Sequence, residues 1–508
     1  MHGGIDQRVA WLLGSTRIHA ANPDMAHRDK FVPVLKGLGI AADQGRISRW
    51  ESGGDRVPNR VIAGYEKVLG LAPGHISAPI TGLRRSLDPG STSTEAVITN
   101  PERAHEDLDG LFERIDEAPH GSDWLDLTNY LATHPQIYLR PKSWMQLTDS
   151  LISETGRAAG AAYTRRFEAM RTLVRHPGAQ RHVMKSIGAF VTDPSAQVVM
   201  HPLTLLQEVP HPRAGELAMR LLTTGSGMLQ QGAAWVIASK LSRGHFDEEA
   251  LKQLEAAVLM LLGANSRSLP DIDVLDVAAR LPADATQRIL LALRETPLQS
   301  RYEVLLRTGE IHPPAVTRPL ASQVAATAQA ATPAPYRIET DMMLQRLVRE
   351  ALFHGHQERR HQAGVMLRVS PYRAGVAAGC ADAVDEGDDA VALNAAMLLR
   401  YVGSEAEREM LLKLAADSTR PKIRGHALVT LGLLPEGVRP QDEPMVLKGL
   451  GADAKRPLKR ACLYALGMGG ASASALYDLQ ENDDDFVQRA ARWWSETGPA
   501  IHESSTAS

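Results

Sequence analysis

The sequence predicts an all-α protein: a small helical head, then a bundle of helical hairpins, then a helical solenoid. Three observations predict it. Apolar residues recur at helical rather than alternating spacing. Aromatic residues make up only 5% of 508 residues, whereas strands favour aromatic and β-branched side chains. Leu367, Leu399, Leu431 and Leu466 fall at steps of 32, 32 and 35 residues near the C-terminus.

A chain of this length exceeds one core and should divide into about three or four bodies. Hydrophobic residues are 44% and charged residues 23%, a globular balance. The two cysteines, Cys380 and Cys462, exclude a disulfide framework and a four-cysteine zinc site, and they fit a reducing compartment. The N-terminus lacks a basic region followed by a long apolar run, and no stretch reaches the ~18 apolar residues of a membrane span. A cytoplasmic, nucleoid-associated protein without a membrane partner is expected. The formal charge is −3, but it is uneven. Residues 1–90 hold 12 Lys/Arg against 8 Asp/Glu, leaving −7 for the remainder. A basic head on an acidic body suits a protein that touches DNA with one end.

Residues 1–76 read as a compact helical domain. Val9, Leu12, Leu13 and Ile18 mark a first helix, and Phe31, Val34, Leu35 and Leu38 a second. Gly37 and Gly39 supply the turn. A third helix spans about Asp43 to Ser52 and a fourth Asn59 to Leu69, with Asn59 as N-cap and Gly70 as the stop. Residues 77–101, rich in Ser, Thr, Pro and Gly, read as a linker with a mobile tip at Pro89–Thr94. Residues 102–311 form a middle helical-repeat domain. Its His-Pro steps at His134, His176, His201 and His211 mark helix ends, because proline pushes the preceding residue out of the α region. Residues 312–336 are Pro/Ala/Thr-rich and read as a second linker. Residues 337–498 carry the repeating helices, since hairpins at a fixed period bury their apolar faces on one another. Residues 499–508 read as a disordered tail.

The element Ile47-Ser48-Arg49-Trp50-Glu51-Ser52-Gly53, followed by Val57-Pro58-Asn59 and the Tyr65…Val68-Leu69-Gly70 helix, resembles Xre/Cro-repressor helix-turn-helix domains over about 60 residues. The resemblance implies that Gln44, Gly45 and Arg46 face base edges, Ser48 contacts a phosphate, and Arg49 meets a base or phosphate. It also implies that Trp50 is core and that Glu51 partners a basic residue within the domain. The turn 38–43 departs from the family by about two extra residues. The C-terminal third is similar to HEAT-like repeats, through small-residue helices ending Leu431-Gly432 and Leu466-Gly467. That implies a curved interaction surface.

Arginine can bond guanine O6 and N7 together, and glutamine adenine N6 and N7. Arg56, Asn59 and Arg60, at the start of the fourth helix, complete the candidate DNA contacts. The bland alternative for all of these is solvated surface. One such unit makes few contacts, so a homodimer on half-sites about 34 Å apart is expected. The cluster His354, His356 and His361 lacks the paired spacing of a metal site and reads as solvated surface. The Asp382–Asp389 and Asp483–Asp485 runs read as helix caps and loop charge. Trp493-Trp494 reads as a lid over the last repeat. No phosphate loop, nucleophile elbow or zinc-protease motif is present, so neither enzyme activity nor a cofactor is expected.

The leading reading is a sequence-specific, dimeric transcriptional regulator that binds double-stranded DNA, with a protein or small-molecule effector on its body. The alternatives are a DNA-tethered scaffold that recruits another protein, and a HEAT-like DNA glycosylase, which the acidic body disfavours.

Overall fold

A computed structural model describes residues 4–88, 108–117, 119–209, 211–225, 227–263, 271–332, 340–386, 388–417, 419–470 and 473–506. Among them every regular element is a helix, and β-structure is confined to isolated bridges. None of these helices is long and apolar enough to cross a membrane. The expected mobile tip at 89–94 lies outside the described residues.

The head holds five α-helices: α1 (Ile5–Ile18), α2 (Arg28–Gly37), α3 (Gln44–Ser52), α4 (Asn59–Val68) and α5 (Ser77–Leu87). The last of these corrects the reading of 77–101 as a linker from its first residue. Ala78, Ile80 and Leu83 are buried, and Pro79 sits in the first turn, where a missing N–H costs nothing. The buried Glu66 carboxylate accepts from the amides of Gly74, Ile76 and Ser77 at 3.1, 2.7 and 2.8 Å. It thus satisfies orphan donors at the start of α5.

The C-terminal region is a stack of hairpins whose second helices are Gln357–Val369, Asp389–Val402, Pro421–Leu433, Arg456–Met468 and Asp485–Thr497. Each packs on the next. Leu367, Leu399, Leu431 and Leu466 are all buried at these junctions, at 1% exposure or less, so the sequence period is a packing period. Asp388 and Asp484 cap their helices, each accepting from two backbone amides. Trp494 is buried in the last hairpin, edge-on to Tyr464.

Two further expectations are corrected. Pro314–Ala331, within the expected second linker, is an 18-residue helix. Its prolines at the N-terminus are tolerated there, and its buried stripe is small: Thr317, Ala321, Val324, Ala325 and Ala328. That stripe lets Arg373–Glu386 approach closely. A Cβ at Gly375 would lie 2.5 Å from the Ala328 Cα.

The tail is also ordered through Thr506. Ile501 exchanges backbone hydrogen bonds with Arg157 and Ala159 at 2.9 and 3.0 Å, and Ala72 donates to Ser505 at 3.0 Å. Glu503 accepts from Arg165 at 2.8 Å, from the Gly121 amide at 2.7 Å, and from Arg166. Of the His-Pro steps, His134 closes Gly121–Thr133 and His211 opens Pro212–Thr224. His176 lies in the turn after Gly160–Leu173. His201 instead lies inside Met200–Thr204, because Pro202 falls in that helix's first turns.

Burial raises the Glu503 carboxyl, but Arg166 and Arg165 outweigh it and hold it below the ordinary carboxylate value. A depressed folded pKa contributes stability that is present above the unfolded value and lost as pH falls through the folded one. Glu503→Ala is expected to cost about 3–5 kcal/mol at neutral pH, because it strands two buried guanidinium groups. In denaturant unfolding, the gap between variant and parent should narrow as the pH drops below about 4.

Candidate nucleic-acid interface

The turn between α2 and α3 explains its own length. The amides of Gly39 and Ile40 turn back onto Lys36 and Leu35 at 2.9 and 3.2 Å, and Ile40 and Ala42 enter the core. Asp43 then caps α3, accepting from the Arg46 amide at 2.7 Å. Gln44, Gly45 and Arg46 form the first turn of α3, and all three are exposed. Gly53 ends the helix in the left-handed region at φ 77°, where only glycine sits without strain.

Behind this surface, Ile47 and Trp50 are buried at 0% and 4% exposure. Glu51 faces inward and ties the head together. Its carboxylate takes both arms of Arg17 at 2.6 and 2.9 Å, Arg28 at 3.1 and 3.2 Å, and the Tyr65 hydroxyl at 3.1 Å. These partners come from α1, the start of α2, and α4, so one side chain fixes α3 against three helices. Burial, and then Glu51 itself, push the Tyr65 hydroxyl upward. It therefore stays protonated and donates.

The remaining expected contacts divide. The Arg46 guanidinium lies back over Trp50, 5.8 Å from its ring centre, and donates to the Ala41 carbonyl at 3.1 Å. Arg49 pairs with Asp55 at 2.9 Å, both side chains about half exposed. Ser48 is half-buried, and Arg56 and Arg60 are exposed. Asn59 is corrected: it is 7% exposed, and its Oδ1 accepts from Arg84 at 2.8 Å. It neither faces solvent nor caps α4, whose cap position is Pro58. The cause is α5, which supplies Arg84 and which the sequence reading lacked.

The head is fastened to the body. Arg8 in α1 meets both oxygens of Glu350 at 2.7 Å, Trp11 donates to Asp341 at 2.8 Å, and Tyr372 stacks on Trp11. α1 also packs on α3, so it bridges the candidate surface and the repeats. Arg8 and Arg17 are buried, and the head's basic excess is carried outward by Lys30, Lys36, Arg46, Arg49, Arg56 and Arg60.

The histidine cluster is not solvated surface. His356 and His361 are 8% and 7% exposed. They hydrogen-bond to Asp276 at 3.1 Å and to the Tyr401 hydroxyl at 3.0 Å, because Gln357–Val369 is an inner helix of the stack.

No protein-family model matches the chain, and no curated protein does. Among solved structures, a structure of human deoxyhypusine hydroxylase in complex with glycerol aligns at a TM-score of 0.33 and 18% identity. The alignment covers 65% of this chain and 97% of that one. That overlap is too loose to carry an argument about this chain's chemistry.

Glu51→Gln keeps the shape and removes the charge that compensates buried Arg17. It is expected to destabilise the head by about 3–5 kcal/mol. Asp43→Ala, which removes only a cap, should cost about 1 kcal/mol. Hydrogen exchange at the α3 amides would read both.

Proposed function

We propose that this protein is a sequence-specific DNA-binding regulator whose reading element is the first turn of α3. The observation that carries the proposal is the exposure of Gln44, Gly45 and Arg46 on a helix anchored from behind by Trp50 and Glu51. A helix held this way presents polar side chains in a fixed register, which groove reading requires. Gln44 is suited to adenine and Arg46 to guanine. Arg46 reaches a base by leaving the Trp50 face. Arg49 would leave Asp55 for a phosphate, and the exchange is cheap because an exposed ion pair contributes only about 0–1 kcal/mol. Ser48, Arg56 and Arg60 take backbone positions. In this reading the protein works in the cytoplasm, at the nucleoid, and binds DNA without catalysing a reaction on it.

Affinity in this reading comes from two copies spanning half-sites about 34 Å apart. The Arg8–Glu350 and Trp11–Asp341 contacts join head and repeats. A protein or small-molecule effector on the body would thus move the reading helix with the repeats, shifting the population of DNA-competent dimers.

Selection of bound duplexes by the full chain, followed by gel-shift titration, tests this. Arg46→Ala should cost about 1–3 kcal/mol and relax preference at one base position. Arg60→Ala should weaken all sequences alike and reduce the salt slope by about 1. Absence of preference for any duplex over competitor at moderate salt overturns the reading.

A further inference from the structure

In the middle bundle, the helices Pro212–Thr224 and Glu248–Gly263 stand on either side of a cleft of about 970 Å³. The first lines it with Glu216, Met219 and Thr223, and the second with Ala250, Gln253 and Ala257. Both sets step by three and then four residues, so each is a stripe along one helix face. From Pro212 to Thr223 the lining runs for about three turns, or ~16 Å. The cleft is therefore a groove that follows both helices.

Its floor is apolar and its rims are charged. Leu222 and Leu254 lie at the bottom, each 1% exposed, and Met219, Ala250 and Ala257 are half-buried. Phe246, in the connection that leads into Glu248–Gly263, closes against the first helix. A Cβ at Gly215 would lie 3.0 Å from its ring, so this glycine admits it. Among the described residues the lining carries exposed Glu216, Asp247 and Glu249 against exposed Arg220, and none of the four forms an ion pair. Asp247 and Glu249 accept from neutral groups, the Ala250 amide at 2.9 Å and Gln253 at 3.2 Å. Burial, then Lys240 and Arg243, push His245 down to about 4, so it adds no positive charge to this wall.

We propose that this groove docks an amphipathic helix of a partner protein, with its apolar stripe on the floor and Lys or Arg side chains flanking that stripe. A helix enters such a groove through side chains at i, i+3 or i+4, and i+7, the spacing that both walls show. The ~16 Å of groove takes about eleven residues of it. Three carboxylates without cationic partners select basic flanks and repel acidic ones. Apolar surface rimmed by polar groups is what such partners cover. The groove belongs to the middle bundle and does not depend on the DNA reading.

The probe is a labelled synthetic helix of about four turns, with leucine at i, i+3, i+4 and i+7 and lysine beside the stripe. Titrated with the full chain, its fluorescence anisotropy should rise to saturation. Glu216→Lys should weaken binding about three- to tenfold, and Arg220→Glu should tighten it. Glu481→Lys makes the same charge change on the last repeat and should leave affinity as it was. Met219→Ser should weaken binding about fivefold or more with the charge unchanged. The three charge substitutions fall at exposed positions, so those variants should keep the parent's Tm. The proposal is overturned if the parent shows no saturable binding, or if a peptide with glutamate in place of lysine binds equally. Equal affinities of the Glu216→Lys and Glu481→Lys variants overturn it as well.

Discussion

A carboxylate removed from water survives only where cations and donors surround it, and this requirement decides which helices of the chain touch. Glu51 gathers α1, α2 and α4. Glu350 takes Arg8 across 342 residues of sequence. Glu208, at 0% side-chain exposure, is met by Arg171, Arg175 and Arg243. Glu168 takes Arg85, and Glu503 takes Arg165 and Arg166. Such pairs contribute modest net stability against well-packed apolar groups, yet breaking one costs several kcal/mol. They act as registers: a helix placed one turn away would strand a charge.

The head is the clearest case. Its apolar core would hold several helices together in more than one way, but Glu51 admits only the arrangement that brings Arg17, Arg28 and Tyr65 to one point. α3 therefore turns Trp50 and Ile47 inward and Gln44 to Arg46 outward. Because α1 also carries Arg8 and Trp11 into the repeats, the exposed turn is positioned by the whole body. This gives the remaining four hundred or so residues a mechanical connection to the candidate DNA surface.

The sequence by itself determined the helical class, the head's first four helices and the repeat marked by its four spaced leucines, and its resemblance to helix-turn-helix domains gave the inward face at Trp50 and Glu51. The helices and the repeat are local or periodic properties, written in the spacing of apolar residues and in acidic caps such as Asp388. Tertiary structure decided the rest. Residues 77–87 and 314–331 look like linkers because Ser, Thr, Pro and Ala are poor signals of burial. They are helices because Glu66 caps one and the glycines of Arg373–Glu386 accommodate the other. Asn59 is a polar residue at a helix start, and only the arrival of Arg84 from α5 turns it inward. The tail carries a glutamate that reads as solvated until Arg165 and Arg166 enclose it. In each case the deciding partner is distant in sequence, and the free energy of a buried charge or polar group depends on which partner the fold brings to it.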